Sequence, residues 1–268
     1  MARARRRLGT KKVGHAGTLD PGATGVLLLG VGPATRLLKL LTPLPKSYTC
    51  EVVLGTETST LDDSGTVTAR HDMAGVTLDE VRAAAASLTG DILQVPPMVS
   101  AIKVAGRRLH ELAREGIEVE RAARPVTVHR FEVEREVEPG VVAVAVDCSS
   151  GTYVRTLAAD VGAALGGGAH LRALRRTAVG PFDASRARPV DEAALLPPVD
   201  VVAFLDRVEV DGEVAELVRR GRRLVRSGQE VTFEGAGPWA VVDLPTGDLL
   251  AVYRSAADQA VPDVVLPV

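Results

Sequence analysis

A chain of 268 residues, 46% apolar and 25% charged, has the composition of a folded globular protein and can bury one large core or two smaller ones. No apolar run approaches bilayer length and no apolar segment follows the basic start, so the expectations are no membrane span, no secretory signal and a cytoplasmic location. The net charge of −2 excludes a uniformly basic binder, yet charge is uneven: residues 1–46 carry nine basic side chains and one acid, Asp20, whereas residues 47–98 balance at −6.

In chain order, the Arg-rich residues 2–8 read as a short helix closed by Gly9. The stretch Gly14-His15-Ala16-Gly17-Thr18-Leu19-Asp20-Pro21-Gly22-Ala23-Thr24-Gly25 reads as a shaped loop, because its glycines permit positive φ and close backbone approach. The apolar run 26–31 predicts a buried strand, and Pro33 opens a helix reaching residue 41. Residues 48–55 alternate like a strand, with 67–71 as the antiparallel partner. Thr77-Leu78-Asp79-Glu80 is a capping box for a helix to residue 88. Residues 91–95 are extended and 107–115 have helical periodicity. The clearest strand pair is 125–137 with 141–148. Val154, Leu157, Ala158, Val161, Ala164 and Leu165 make the stripe of a buried helix, followed by an extended stretch at 171–179. Residues 191–196 predict a short helix, and Pro197-Pro198 marks the domain boundary. The tail reads as a helix at 212–220 and strands at 229–233, 239–243 and 249–253, a small β-rich module.

Few residues carry chemistry. The five histidines scatter without ligand spacing, so no metal is expected. Cys50 and Cys148 sit in apolar, strand-like runs and read as buried free thiols of a reducing compartment. Gly30-Val31-Gly32 lacks the third glycine of a dinucleotide fingerprint, and there is no phosphate-binding P-loop, so no nucleotide cofactor is expected. What remains is Asp20, a lone acid in a cationic field, which suggests chemistry on a polyanion; Asp20-Pro21-Gly22 is equally the composition of a tight turn. Ser149 to Arg155 lies at a strand-to-helix junction, where functional groups are commonly presented. Arg172, Arg175 and Arg176 fall in one short stretch, either a solvated strand edge or a phosphate contact.

The loop from Gly14 to Gly25 resembles the signature of the bacterial tRNA pseudouridine synthase B family. Further blocks follow in that family's order: Gly32-x-Ala34-Thr35-Arg36, Lys46-Ser47-Tyr48, and Thr58-x-Thr60-x-Asp62-x-x-Gly65. Pro96 to Gly106, Arg114 to Val119, Cys148 to Thr156 and Gly168 to Arg176 continue the likeness, which runs from about Lys12 to Val179. The resemblance implies an α+β pseudouridine synthase fold: a mixed or antiparallel central sheet with flanking helices, and a C-terminal PUA-like module. It implies a catalytic domain at 1–197 containing an RNA-clamping insertion at about 96–124, and an RNA-binding module at 198–268. The implied reaction isomerises the T-loop uridine at position 55 of tRNA, without cofactor, in a monomer whose partner is the T-arm.

By the same resemblance Asp20 is the catalytic carboxylate, acting at ribose C1′ or C2′, and Arg155 is its partner. Tyr48 stacks on the base, and Tyr153 and Leu174 line the uridine pocket. His15 keeps the RNA loop open after the base flips, and Arg36 lies near RNA. Two departures stand out. A strand and helix carrying a Leu-x-x-x-Asp-Lys-Pro segment in the family has no counterpart here, which predicts an unpaired sheet edge. His110 replaces a usual tyrosine in the clamp. Two other classes predict different behaviour: a tRNA-binding protein without turnover, and a nucleotide-binding enzyme using Gly30 to Gly32.

Overall fold

The computed structural model describes residues 1–100, 102–104, 106–228 and 231–267, with the side chains of Lys103, Val104 and His110 outside that description. The expectation for His110 therefore lies outside the described side chains, as do the first two residues of the strand expected at 229–233. The chain packs as two compact units: residues 18–27 with 42–187, and residues 1–17 with 28–41 and 188–268. These differ from a single cut at Pro197-Pro198, because three separated segments share the second set.

The unit of residues 18–27 and 42–187 is built on one sheet. Its strand order is Phe182–Asp183, Ala169–Val179, Lys46–Leu54, Val141–Cys148, Arg124–Glu138 and Gly90–Gln94, all antiparallel, with Thr24–Gly25 added in parallel to Ala169–Val179. The sheet is therefore mixed, as expected. Alternation in Arg124–Glu138 buries Val126, Val128, Phe131 and Val133, whereas the inner strand Val141–Cys148 is buried along most of its length. Helices Leu78–Ser87 and Val154–Ala164 cover one face, placing Val81, Ala84, Ala85, Leu157, Ala158 and Val161 in the core. The capping box forms as read: the Thr77 hydroxyl accepts from the Glu80 amide, and the Glu80 carboxylate accepts from the Thr77 amide.

One pairing differs from expectation. Val67–Arg70 pairs with Thr56–Thr58 rather than with Lys46–Leu54. Both edges of Lys46–Leu54 are already taken, by Val141–Cys148 and Ala169–Val179, and Gly55 turns the chain away at φ 79°.

In the other unit, Asp206–Val210, Trp239–Asp243, Leu249–Ala256, Gln259–Val265 and Leu224–Val225 form a five-stranded sheet. Trp239, Phe233 and Tyr253 fill one side: Phe233 meets Trp239 edge-on at 5.2 Å and stacks on Tyr253 at 5.8 Å. Arg226 lies over the Trp239 ring. On the other side Leu37 packs with Val202, Val242, Val252 and Leu266. Gly32–Leu37 is a 3-10 helix that passes into α-helix at Leu38–Leu41. The strand expected at 26–31 shortens to Leu29–Val31, which pairs with Val13–His15. The helix expected at 191–196 does not form. Arg7 donates to the carbonyls of Val190 and Ala193, and Arg3 engages the Asp191 carboxylate, so that segment's polar groups are already committed. No helix among the described residues is long and apolar enough to cross a membrane.

Candidate active site

Arg155 is the hub of the site, and its position starts with a helix end. Tyr153 precedes helix Val154–Ala164 in extended conformation and offers no side-chain cap. Gln94, 2% exposed, supplies the missing contacts from the neighbouring strand. Its amide oxygen accepts from the Tyr153 N–H at 2.7 Å, and its amide nitrogen donates to the Tyr153 carbonyl at 3.1 Å. The helix start is thereby fixed, and Arg155 with it.

The Arg155 side chain is 5% exposed. Its Nε lies 2.9 Å from Asp20 Oδ2 and its Nη2 donates to Asp20 Oδ1 at 3.1 Å, a two-pronged pair that fixes the carboxylate's plane. The remaining donors reach the carbonyls of Thr60 at 2.9 Å and Val99 at 2.8 Å. Asp62 Oδ2 stands 3.4 Å from Nη1. Burial works against the Asp62 charge, but hydrogen bonds from Ser64 and Thr60, with Arg155 nearby, hold its carboxyl below the usual carboxylate range. One buried cation thus joins two carboxylates.

Asp20 opens a β-turn: the Ala23 amide donates to the Asp20 carbonyl at 3.0 Å, with Pro21 at the second position. The turn and the chemical reading of Asp20-Pro21-Gly22 are compatible. Gly25, at φ 101°, has no room for a side chain, since a Cβ would lie 2.0 Å from the Arg176 carbonyl oxygen.

Tyr48 stands on Lys46–Leu54 opposite Val146 on one side and Arg176 on the other. Burial pushes its phenol above the ordinary value, and a hydrogen bond with Arg176 pulls it partly back. Leu174 leans on the same apolar cluster. It follows Ala173, at φ 53°, in a bulge between Arg172 and Arg175. Next to Tyr48, the Lys46 ammonium donates to the carbonyls of Thr42 and Leu44, and burial beside Arg176 pushes it down to about 8.

Asp20, Tyr48, Tyr153, Arg155 and Leu174 all belong to the unit of the large sheet. His15 and Arg36 belong to the other. His15 is exposed on Val13–His15, and Arg36 donates to the Val265 carbonyl at 2.7 Å. Arg176 corrects the reading of its cluster: it is 1% exposed and internal, neither a solvated edge nor a phosphate contact. Gln94 carried no signal in the sequence, and Asp62 was visible only as one letter of a matched block. Cys50 and Cys148 are buried, their thiols pushed up to about 12 and about 11, which leaves little thiolate for nucleophilic chemistry. Among the described residues no group of three or more His, Cys, Asp or Glu is arranged to hold a metal ion.

Residues 5–154 match the family model described as TruB family pseudouridylate synthase (N terminal domain), and residues 155–196 match tRNA pseudouridylate synthase B C-terminal domain. A protein of Rhodococcus jostii (strain RHA1) named tRNA pseudouridine synthase B is 48% identical over 97% of this chain and 86% of its own length. One of the same name from Arthrobacter sp. (strain FB24) is 45% identical over 99% of this chain and 90% of its own. Among solved structures, a chain of a Cbf5–Nop10–Gar1 complex superposes with TM-score 0.71 at 26% identity, covering 98% of this chain and 78% of that one. A chain of an H/ACA RNP bound to a substrate RNA containing 2′-deoxyuridine gives TM-score 0.69 at 22% identity, covering 99% and 79%, and shares the fold.

Proposed function

Because the chain belongs to the TruB family of pseudouridylate synthases, we propose that it isomerises the T-loop uridine at position 55 of tRNA to pseudouridine, with Asp20 as the reacting carboxylate. The observation that carries this reading is an asymmetry. Arg155 is enclosed, yet the Asp20 side chain it holds is 36% exposed. An anion aimed by a bidentate cation, with one face left open, is equipped to meet a substrate atom.

The reaction breaks the N1–C1′ glycosidic bond, turns the base, and forms C5–C1′; C5 loses its proton and the freed N1 gains one. It is an isomerisation, so no electrons enter or leave. Asp20 serves either as nucleophile at C1′ or as base at C2′. The target base must first leave its stack, at a cost of a few kcal/mol. Tyr48 offers the flipped base an aromatic face, with Leu174 and Tyr153 as the walls of its pocket. His15 fills the space the base leaves, and Arg36 contacts RNA. Residues 96–124 act as the clamp and residues 198–268 as a further RNA-binding module.

The test uses a T-arm stem-loop carrying a single uridine at the target position. The wild type forms pseudouridine, whereas Asp20→Asn binds the RNA with similar affinity and forms none. Turnover by Asp20→Asn at the wild-type rate would overturn the catalytic assignment. Binding without turnover by the wild type would favour the non-catalytic reading.

A further inference from the structure

The 18–26 loop that carries Asp20 has almost no regular structure, so something other than a helix or a long strand must hold it. Arg155 grips the carboxylate but not the backbone of the loop. The backbone is gripped by Arg176, from strand Ala169–Val179. Its Nε donates to the Val26 carbonyl at 2.8 Å and its Nη1 donates to the Thr18 carbonyl at 3.2 Å. Its own carbonyl accepts from the Val26 amide at 2.9 Å, and Gly25 runs alongside in parallel register. The two carbonyls lie at the two ends of the loop. Arg176 also faces Tyr48 across the sheet and hydrogen-bonds its side chain. Burying a guanidinium is costly unless its donors are used, and here they reach both loop ends and the aromatic residue.

We propose that Arg176 is a positioning residue of this reaction: it closes the 18–26 loop at both ends and orients the Tyr48 phenol, so that Asp20 and the ring meet the substrate in one fixed arrangement. The proposal rests on the reading that Asp20 and Tyr48 form the reaction centre. Only a forked side chain can reach both loop ends together. A lysine keeps the charge but reaches one carbonyl at a time.

Two variants test it. In Arg176→Lys, kcat on tRNA falls by about 30-fold or more while KM stays within about threefold, since the lost interaction orients rather than binds. In Arg176→Gln, the alkaline absorbance step of Tyr48, identified by its loss in Tyr48→Phe, moves to higher pH because the cation favouring the phenolate is gone. A residue serving only as a core strut would lower the melting temperature and leave the Tyr48 step in place. The proposal is overturned if Arg176→Lys keeps wild-type kcat, if the Tyr48 step does not move, or if neither variant folds at 25 °C. A wild type inactive on tRNA would instead sink the reading on which the proposal stands.

Discussion

Lys46 lies two residues from Tyr48 with its ammonium buried beside Arg176, and burial together with that like charge pushes it from 10.5 to about 8. The unfolded chain binds this proton more tightly than the folded one. Folding is therefore penalised below about 8, and stability recovers as pH rises from about 8 towards 10.5. Lys46→Met removes the titrating group, so the wild-type minus variant difference in unfolding free energy rises over that window and is flat below it. Urea melts at half-unit pH steps measure it, and a difference flat throughout would show that Lys46 keeps its ordinary affinity. The variant also carries a pH-independent offset, because the carbonyls of Thr42 and Leu44 lose their donor.

Helix Val154–Ala164 depends on a strand for its first turn. Gln94→Leu keeps the volume but leaves the Tyr153 amide without a partner and removes one of the two donors to the Tyr153 carbonyl, which keeps the Leu157 amide, so we expect a loss of about 1–3 kcal/mol of stability. Activity should fall by more than the unfolded fraction accounts for, because Arg155 sits two residues along from Tyr153. An activity loss that merely tracks unfolding would mean that the cap is structural only. This clasp was illegible in the sequence, where Gln94 is one polar residue at the end of a short extended run. The elements that were legible are those decided locally. The strand pair around Glu138-Pro139-Gly140 alternates and turns at a glycine, and Thr77 to Glu80 completes its own cap. Local pattern misleads where distant segments decide. The pairing of Val67–Arg70 was settled by the occupancy of another strand's edges, and the 191–196 helix was forestalled by arginines more than 180 residues away in sequence. Strand Asp206–Val210 pairs in parallel with Trp239–Asp243, a long-range register that alternation over five residues does not announce. In the site, Asp20 stands out by itself as a lone acid in a cationic stretch, whereas Tyr48 and Arg155 acquire roles only through the ordered motifs. Asp62 and Gln94 do their work through a shared guanidinium and a helix end, which no spacing rule encodes.

At the scale of the whole molecule, residues 198–268 are not a detachable tail. Leu37, 1% exposed, packs on Val202, Val242, Val252 and Leu266, so segment 28–41 takes its core from the C-terminal sheet. Removing residues 198–268 would expose Leu37 and the leucines beside it, at about 1.5–3 kcal/mol for each fully buried large apolar side chain. Hydrogen exchange of the amides in 29–41 should accelerate strongly in the truncated chain, so RNA affinity lost on truncation would not report RNA contacts alone. Unchanged protection there would mean that the segment is held by other contacts. The aromatic cluster has an optical consequence. The chain's single tryptophan, Trp239, lies in the C-terminal sheet against Phe233 and Arg226, so intrinsic emission on excitation at the indole band originates entirely in the unit that lacks Asp20. A fluorescence melt of this protein follows one half of its architecture, and quenching by bound RNA would report on that half without a label.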